Sequence, residues 1–97
     1  MYFDFILYEK MDDDLIDRLV KKTSIWEVFH VGTYEVKDHW HYLISARDLF
    51  DAHRILNPVI QKHRMYIKSV RDPELWRGYL QYYSLGGKIY TCRNTTS

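Results

Sequence analysis

Hydrophobic and polar positions alternate along much of this chain, in short runs that are typical of strands. These runs are rich in aromatic and β-branched residues, which favour extended structure. The five predicted strands are Tyr2–Tyr8, Ile25–Val36, His39–Ser45, Arg64–Val70 and Lys88–Arg93. Because no long linker or repeat interrupts the pattern, we expect one domain spanning residues 1–97.

Helix signals stand between these strands. The carboxylates of Asp12–Asp14 favour the positive end of a helix dipole, and the apolar stripe of that helix is predicted at Met11, Leu15 and Leu19. A second helix is predicted over Ala46–Leu56. Its apolar side is expected at Leu49, Phe50, His53 and Leu56, and it should end at Asn57-Pro58.

The last helix has the clearest start. Asp72 is a good N-cap, and Pro73 suits the first helical position. Gly86-Gly87 should end the helix. The element order is then βαββαβαβ, with a tight hairpin turn at Lys37-Asp38 that makes neighbouring strands antiparallel. This order predicts an α+β fold, a roughly five-stranded antiparallel sheet with packed helices.

Charge is distributed unevenly along the chain. Residues 1–45 carry five Lys/Arg and nine Asp/Glu, whereas residues 46–97 carry nine and four, although the net charge is only +1. A basic half favours phosphate contacts. The candidate contacts are Lys62, Arg64, Lys68, Arg71 and Arg77. No apolar run approaches the ~18 residues that a membrane helix needs, so no membrane partner is expected.

The candidate metal ligands are His39 and His41. On a strand they face the same side, about 6.6 Å apart along the chain, while Trp40 points to the opposite face. A three-residue hairpin loop would place Glu35 directly across from His39, whereas a two-residue loop would aim it at the other face. Two imidazoles and one carboxylate suit Mn²⁺ or Mg²⁺, and also Zn²⁺.

Tyrosines on the last helix are candidate nucleophiles. Helical periodicity groups Tyr79 and Tyr83 with Trp76 and Leu80 in a stripe that is expected to face the core. Tyr82 falls about 60° outside this stripe, where a phenol can reach the sheet surface. A phenol beside a divalent metal is a plausible nucleophile towards a phosphodiester.

These motifs together resemble the HUH endonuclease domain of replication initiator (Rep) proteins from circular single-stranded DNA viruses, of the circovirus, geminivirus and smacovirus kinds. The resemblance covers essentially the whole chain. Tyr2–Tyr8 stands in place of the first motif. Residues 31–35 (Val-Gly-Thr-Tyr-Glu) with His39-Trp40-His41 resemble the metal motif, and Tyr82–Gly87 resembles the Tyr-x-x-Lys-x-Gly motif.

The resemblance implies roles for particular residues. Glu35, His39 and His41 would bind Mn²⁺ or Mg²⁺, and Tyr82 would attack the scissile phosphate of an origin stem-loop in single-stranded DNA. A 5′-phosphotyrosine and a free 3′-OH would result, and the 3′-OH would prime rolling-circle replication. The resemblance also implies a helicase domain in the full-length chain. The expected location is the host nucleus for a eukaryotic virus and otherwise intracellular.

One position departs from the family pattern, since Leu85 stands where the tyrosine motif has lysine. Lys88 is the local substitute that could supply positive charge near the phenol. Two alternatives therefore stay open. One is a single-tyrosine HUH transposase, and the other is a module that binds origin DNA or other nucleic acid without cleaving it.

Overall fold

The fold is built on one antiparallel sheet. The computed structural model describes residues 1–31, 37–83 and 89–92, with residues 81–83 and 89–92 as backbone only. The strands are β1 (Tyr2–Leu7), β2 (Trp26–Val31), β3 (His39–Ser45), β4 (Tyr66–Val70) and β5 (Ile89–Cys92). The helices are α1 (Asp13–Val20), α2 (Leu49–Ile55), α3 (Asn57–Lys62) and α4 (Pro73–Tyr83).

Strands β1 and β3 lie in the interior of the sheet. The four strands β4-β1-β3-β2 are paired side by side, and β5 runs along the outer edge of β2. Every described pairing is antiparallel. The predicted α+β class with an antiparallel sheet and helices is therefore confirmed. The element order differs by one helix, since α3 follows α2 directly.

One face of the sheet, which we call the core face, carries the main hydrophobic core. Phe5 stacks on Tyr42 with ring centroids 4.7 Å apart, and Trp26 packs against both rings. Helices α1, α2 and α3 cover this face with buried aliphatic side chains, among them the predicted Leu15 and Leu19. Burial raises the pKa of Tyr42 to about 12, so this phenol stays protonated at neutral pH.

Helix α4 packs on the opposite face, which we call the polar face. Asp72 caps the helix as predicted, because its carboxylate accepts hydrogen bonds from the backbone N–H groups of Glu74 and Leu75. A small apolar cluster seats the helix on β2. It consists of Phe29, Val31 and Leu80, with Trp76 packed against it. None of the described helices has the length and apolarity needed to cross a bilayer.

The predicted register of the hairpin between β2 and β3 is wrong. His39 pairs with Val31 in the sheet, so neither Glu35 nor Val36 lies directly across from it. The turn signal at Lys37-Asp38 is local and does not specify which residues of the two strands pair. Glu35 lies outside the described residues.

The prediction for the second helix is also partly wrong. The helix begins at Leu49 because the Asp48 carboxylate accepts a hydrogen bond from the Asp51 backbone N–H at 2.7 Å. Pro58 does not end helical structure but lies in the first turn of α3, where its missing N–H is not needed. The buried side of α2 is Asp51, Ala52 and Ile55, whereas Phe50 is 82% exposed.

Candidate metal and nucleophile site

His39 and His41 lie together on the polar face. Strand β3 begins at His39 as predicted, and its two-residue periodicity puts both imidazoles on the same side. Their ring centroids are 5.0 Å apart. Both side chains are partly buried, and that of His41 is 12% exposed. The predicted pair is therefore one compact group rather than two separate surface residues.

Each imidazole is oriented by an acceptor at Nδ1. His39 Nδ1 lies 2.9 Å from the backbone carbonyl oxygen of Lys37. His41 Nδ1 lies 3.2 and 3.3 Å from the two carboxylate oxygens of Asp4. A backbone carbonyl and a carboxylate both accept hydrogen bonds, so these contacts favour a proton on Nδ1 of each ring. In that tautomer of an imidazole the lone pair is on Nε2, the atom available to a metal.

Asp4 is a residue of the candidate site that the sequence analysis does not predict. It is the sole charged residue of the first predicted strand, Tyr2–Tyr8. In the structure Asp4 is 2% exposed, in the middle of β1, across from Leu43 of β3. A carboxylate is rarely buried without a partner, so a lone Asp inside an aromatic strand was the signal that one had to exist. That partner is His41.

The two rings of the pair meet edge to face. Their planes make an angle of 63° and their centroids are 5.0 Å apart, so both rings could contribute to one ion only if both Nε2 atoms point to it. Within the part of the chain that the structure describes, no group of three His, Cys, Asp or Glu residues is arranged to hold a metal. A third protein ligand would have to come from residues such as Glu35 that are not described.

A cleft between the sheet and α4 opens beside His41. Asp4, His41 and Lys68 line its sheet side, and Trp76 and Tyr79 are among the residues that line its helix side. The prediction that Tyr79 belongs to a core stripe is wrong, because Tyr79 is 63% exposed. The helix is seated instead by Leu80, which is 4% exposed.

Tyr82 and Tyr83 are in the last described turn of α4. Their side chains lie outside the described atoms, so the predicted roles of both phenols stay predictions.

Arg77 holds α4 to the sheet. Its Nε and Nη2 donate to the two oxygens of Glu27 on β2 at 2.7 and 2.5 Å, and Nη1 donates to Glu74. Glu27 is 3% exposed, so the pair is largely removed from water. The Glu27 carboxylate raises the pKa of Arg77. The prediction that Arg77 contacts phosphate is therefore corrected, since these carboxylates already occupy its guanidinium group.

The other predicted phosphate contacts are on the surface. Lys62, Arg64, Lys68 and Arg71 are all exposed. Lys68 lies opposite Asp4 in the register of β1 and β4, which places it on the polar face. Lys88, the proposed substitute for the motif lysine, lies outside the described residues.

His30 lies on the other side of the sheet from the histidine pair. It pairs with Trp40 in the β2–β3 register, and the two rings stack with centroids 4.6 Å apart. Its Nε2 is 3.6 Å from a carboxylate oxygen of Asp38. Because His30 pairs with Trp40, it lies on the opposite face of the sheet from His39 and His41.

Comparisons with protein-family models, with curated proteins and with solved structures each gave no significant match to this chain.

Proposed function

We propose that this chain is an HUH-type domain that nicks and rejoins single-stranded DNA at a replication origin, using a divalent metal and a tyrosine. The observation that carries the proposal is the orientation of His39 and His41. Both rings are on one face, 5.0 Å apart, with Nδ1 of each bonded to an acceptor. A neutral imidazole that is held through one nitrogen in this way is the usual form of a metal-ligating histidine.

The position of α4 supports the same function. The helix with the tyrosines lies over the polar face, on the side that carries the histidines, and Arg77 fixes it to β2. An HUH domain is expected to have an α+β fold, and this chain has an antiparallel sheet with packed helices. A Mn²⁺ or Mg²⁺ ion, when bound, would polarise the scissile phosphate as a Lewis acid. Glu35 is proposed as the third ligand on the sequence motif alone.

The proposed reaction is a transesterification. The Oη of Tyr82 forms a bond to phosphorus while the bond from phosphorus to the 3′ oxygen breaks. The phenol proton leaves through solvent, and the departing 3′ oxygen takes up a proton, so the products are a 5′-phosphotyrosine and a free 3′-OH. Because one phosphodiester replaces another, the reverse reaction rejoins the strand.

The experiment is covalent capture of DNA. The protein is incubated with a library of labelled single-stranded stem-loops and Mn²⁺, and adducts are separated in denaturing gels. Tyr82→Phe should abolish the adduct and leave the fold and DNA binding intact. Tyr83→Phe should still form it, and so should Tyr79→Phe, which removes one oxygen from an exposed ring.

The tyrosine variants also separate the alternatives. Loss of the adduct in Tyr79→Phe alone would move the nucleophile to the phenol that lines the cleft beside His41. If the wild-type protein binds the stem-loops but forms no adduct with Mn²⁺ or Mg²⁺, the chain is a binding module, in agreement with Leu85 in place of the motif lysine.

A further inference from the structure

Two exposed tyrosines lie at the open end of the polar face. Tyr8 directly follows β1 and is 48% exposed, and Tyr66 begins β4 and is 64% exposed. They border one shallow cavity with three cations, Lys37, Lys62 and Arg64. We call these five residues the tyrosine patch.

The tyrosine patch is continuous with the histidine pair. The Tyr8 ring centroid is 5.7 Å from that of His39. In the sheet register, Ile6 pairs with His41 on one side and with Tyr66 on the other, so all three residues point to the polar face. An extended ligand that crosses the patch would therefore pass directly beside His39 and His41.

The patch offers free positive charge. Lys62 forms an exposed ion pair with Asp12 at 3.4 Å, and the carboxylate of Glu9 at the cavity rim lies 3.4 Å from His63. Lys37 lies over the Tyr8 ring, with Nζ 5.7 Å from the centroid. Neither Lys37 nor Arg64 forms a salt bridge with any residue that the structure describes, so both can accept an anion without losing an existing pair.

We propose that the tyrosine patch binds single-stranded DNA, with unpaired bases on the rings of Tyr8 and Tyr66 and phosphates against Lys37 and Arg64. Exposed aromatic rings beside cations are how proteins bind unpaired nucleotides, since every base has a face to stack. A duplex keeps its bases stacked on each other and cannot use the rings. The inference rests on the proposed function for its DNA substrate, and it adds the surface that holds the strand flanking the cleavage point.

Binding is measured without metal, so that it is independent of cleavage. Fluorescence anisotropy of a labelled oligothymidylate is recorded with the full chain in EDTA. Tyr8→Ala and Tyr66→Ala should each weaken binding about tenfold, the loss expected for one stacked base. Tyr66→Phe keeps the ring and should bind like the wild type. Phe50→Ala is the matched control, because it removes an 82% exposed ring from α2.

A second pair of variants tests whether the positive charge of the tyrosine patch contacts phosphate. Arg64→Ala should weaken binding and reduce the dependence of log affinity on log salt concentration by about 0.7, one phosphate contact. Arg18→Ala removes an exposed cation from α1, on the core side, and should leave the salt dependence unchanged.

The outcomes separate this inference from the proposed function. Equal affinities for Tyr66→Ala and Phe50→Ala, or a preference for duplex DNA, would overturn the tyrosine patch, even if the wild-type protein forms the adduct. If the patch variants lose affinity as expected but no adduct forms with Mn²⁺, the patch stands as the binding surface and the cleavage proposal fails.

Discussion

The two faces of the sheet are built from different chemistry. The core face presents the rings of Phe5, Trp26 and Tyr42 to three helices and encloses nearly all of the large buried apolar side chains. The polar face presents Asp4, Glu27 and the histidine pair, and among the described helices α4 covers part of it. Strand periodicity makes this division possible, because successive residues of one strand serve opposite faces.

The core face mainly stabilises the fold, whereas the polar face contains the candidate site. Apolar burial on the core face supplies most of the free energy of folding, since it is the dominant favourable term for a small domain. The polar face contains two buried carboxylates, and each has a specific partner, His41 for Asp4 and Arg77 for Glu27. Such pairs contribute less to stability than apolar packing of the same volume, so we infer that they serve position and function.

The largest expected effect is on the core face. Phe5→Ala removes a fully buried ring from the aromatic cluster and should lower the free energy of unfolding by about 4 kcal/mol. That is a large part of the roughly 5–15 kcal/mol available to a domain. Urea unfolding measures it, with His39→Ala as the polar-face control, which should change stability by less than about 1 kcal/mol. Equal losses of unfolding free energy in the two variants would contradict the proposed difference between the core face and the polar face.

The next effect tests how α4 is held. Arg77→Met leaves the Glu27 carboxylate buried without its partner and should lower the free energy of unfolding by about 2 kcal/mol. This loss is smaller than that for a fully buried pair because the Arg77 side chain is 27% exposed. Adding Glu27→Gln should restore part of the loss, since no buried charge is then left unpaired. Urea unfolding of the single and double variants decides this. No recovery in the double variant would show that packing, not the ion pair, holds the helix.

A smaller effect is expected at Asp4. Asp4→Asn keeps the shape but removes the anionic acceptor that holds the His41 ring, and such partners typically change metal affinity by 10–100-fold. Calorimetry with Mn²⁺ should therefore show binding at least about tenfold weaker. Asp14→Asn is a matched control on an exposed residue of α1. Unchanged affinity in Asp4→Asn would remove Asp4 from the site.

A further effect concerns pH and lies on α2. Hydrogen bonds from the Arg47 backbone N–H and the Arg54 side chain lower the pKa of Asp51 to about 2. A lowered pKa stabilises the fold above the unfolded value near 4, and the contribution is lost as the pH falls from about 4 to about 2. Urea unfolding at a series of pH values should show this loss in the wild type and a flatter profile in Asp51→Asn. Identical profiles would contradict the assignment.

Local signals predicted much of the fold. The bounds of β3 and the start of α4 at Asp72-Pro73 follow from alternation and capping, which depend only on neighbouring residues. The register of β2 and β3 did not follow, because the pairing of His39 with Val31 depends on both whole strands and not on the local turn signal at Lys37-Asp38.

The candidate site was predictable only in part. His39 and His41 share a face because of their spacing alone. The bond between Asp4 and His41 joins strands that are 37 residues apart in the sequence, so it depends on how strands are paired. The prediction for Tyr79 is wrong because helical periodicity shows only which residues of α4 share a side. How the helix packs on the sheet determines that Leu80 is buried and Tyr79 is exposed.

The most direct test of the account is the state of the histidine rings. Long-range ¹H–¹⁵N NMR distinguishes the two tautomers of a neutral imidazole and detects metal bound at one nitrogen. In the metal-free protein, His39 and His41 should both carry the proton on Nδ1, as their acceptors require. Zn²⁺, as a diamagnetic probe, should then shift Nε2 of these two rings together and leave the other three histidines unchanged. Protonation at Nε2, or a Zn²⁺ shift confined to other histidines, would contradict the assignment of a metal site to the polar face.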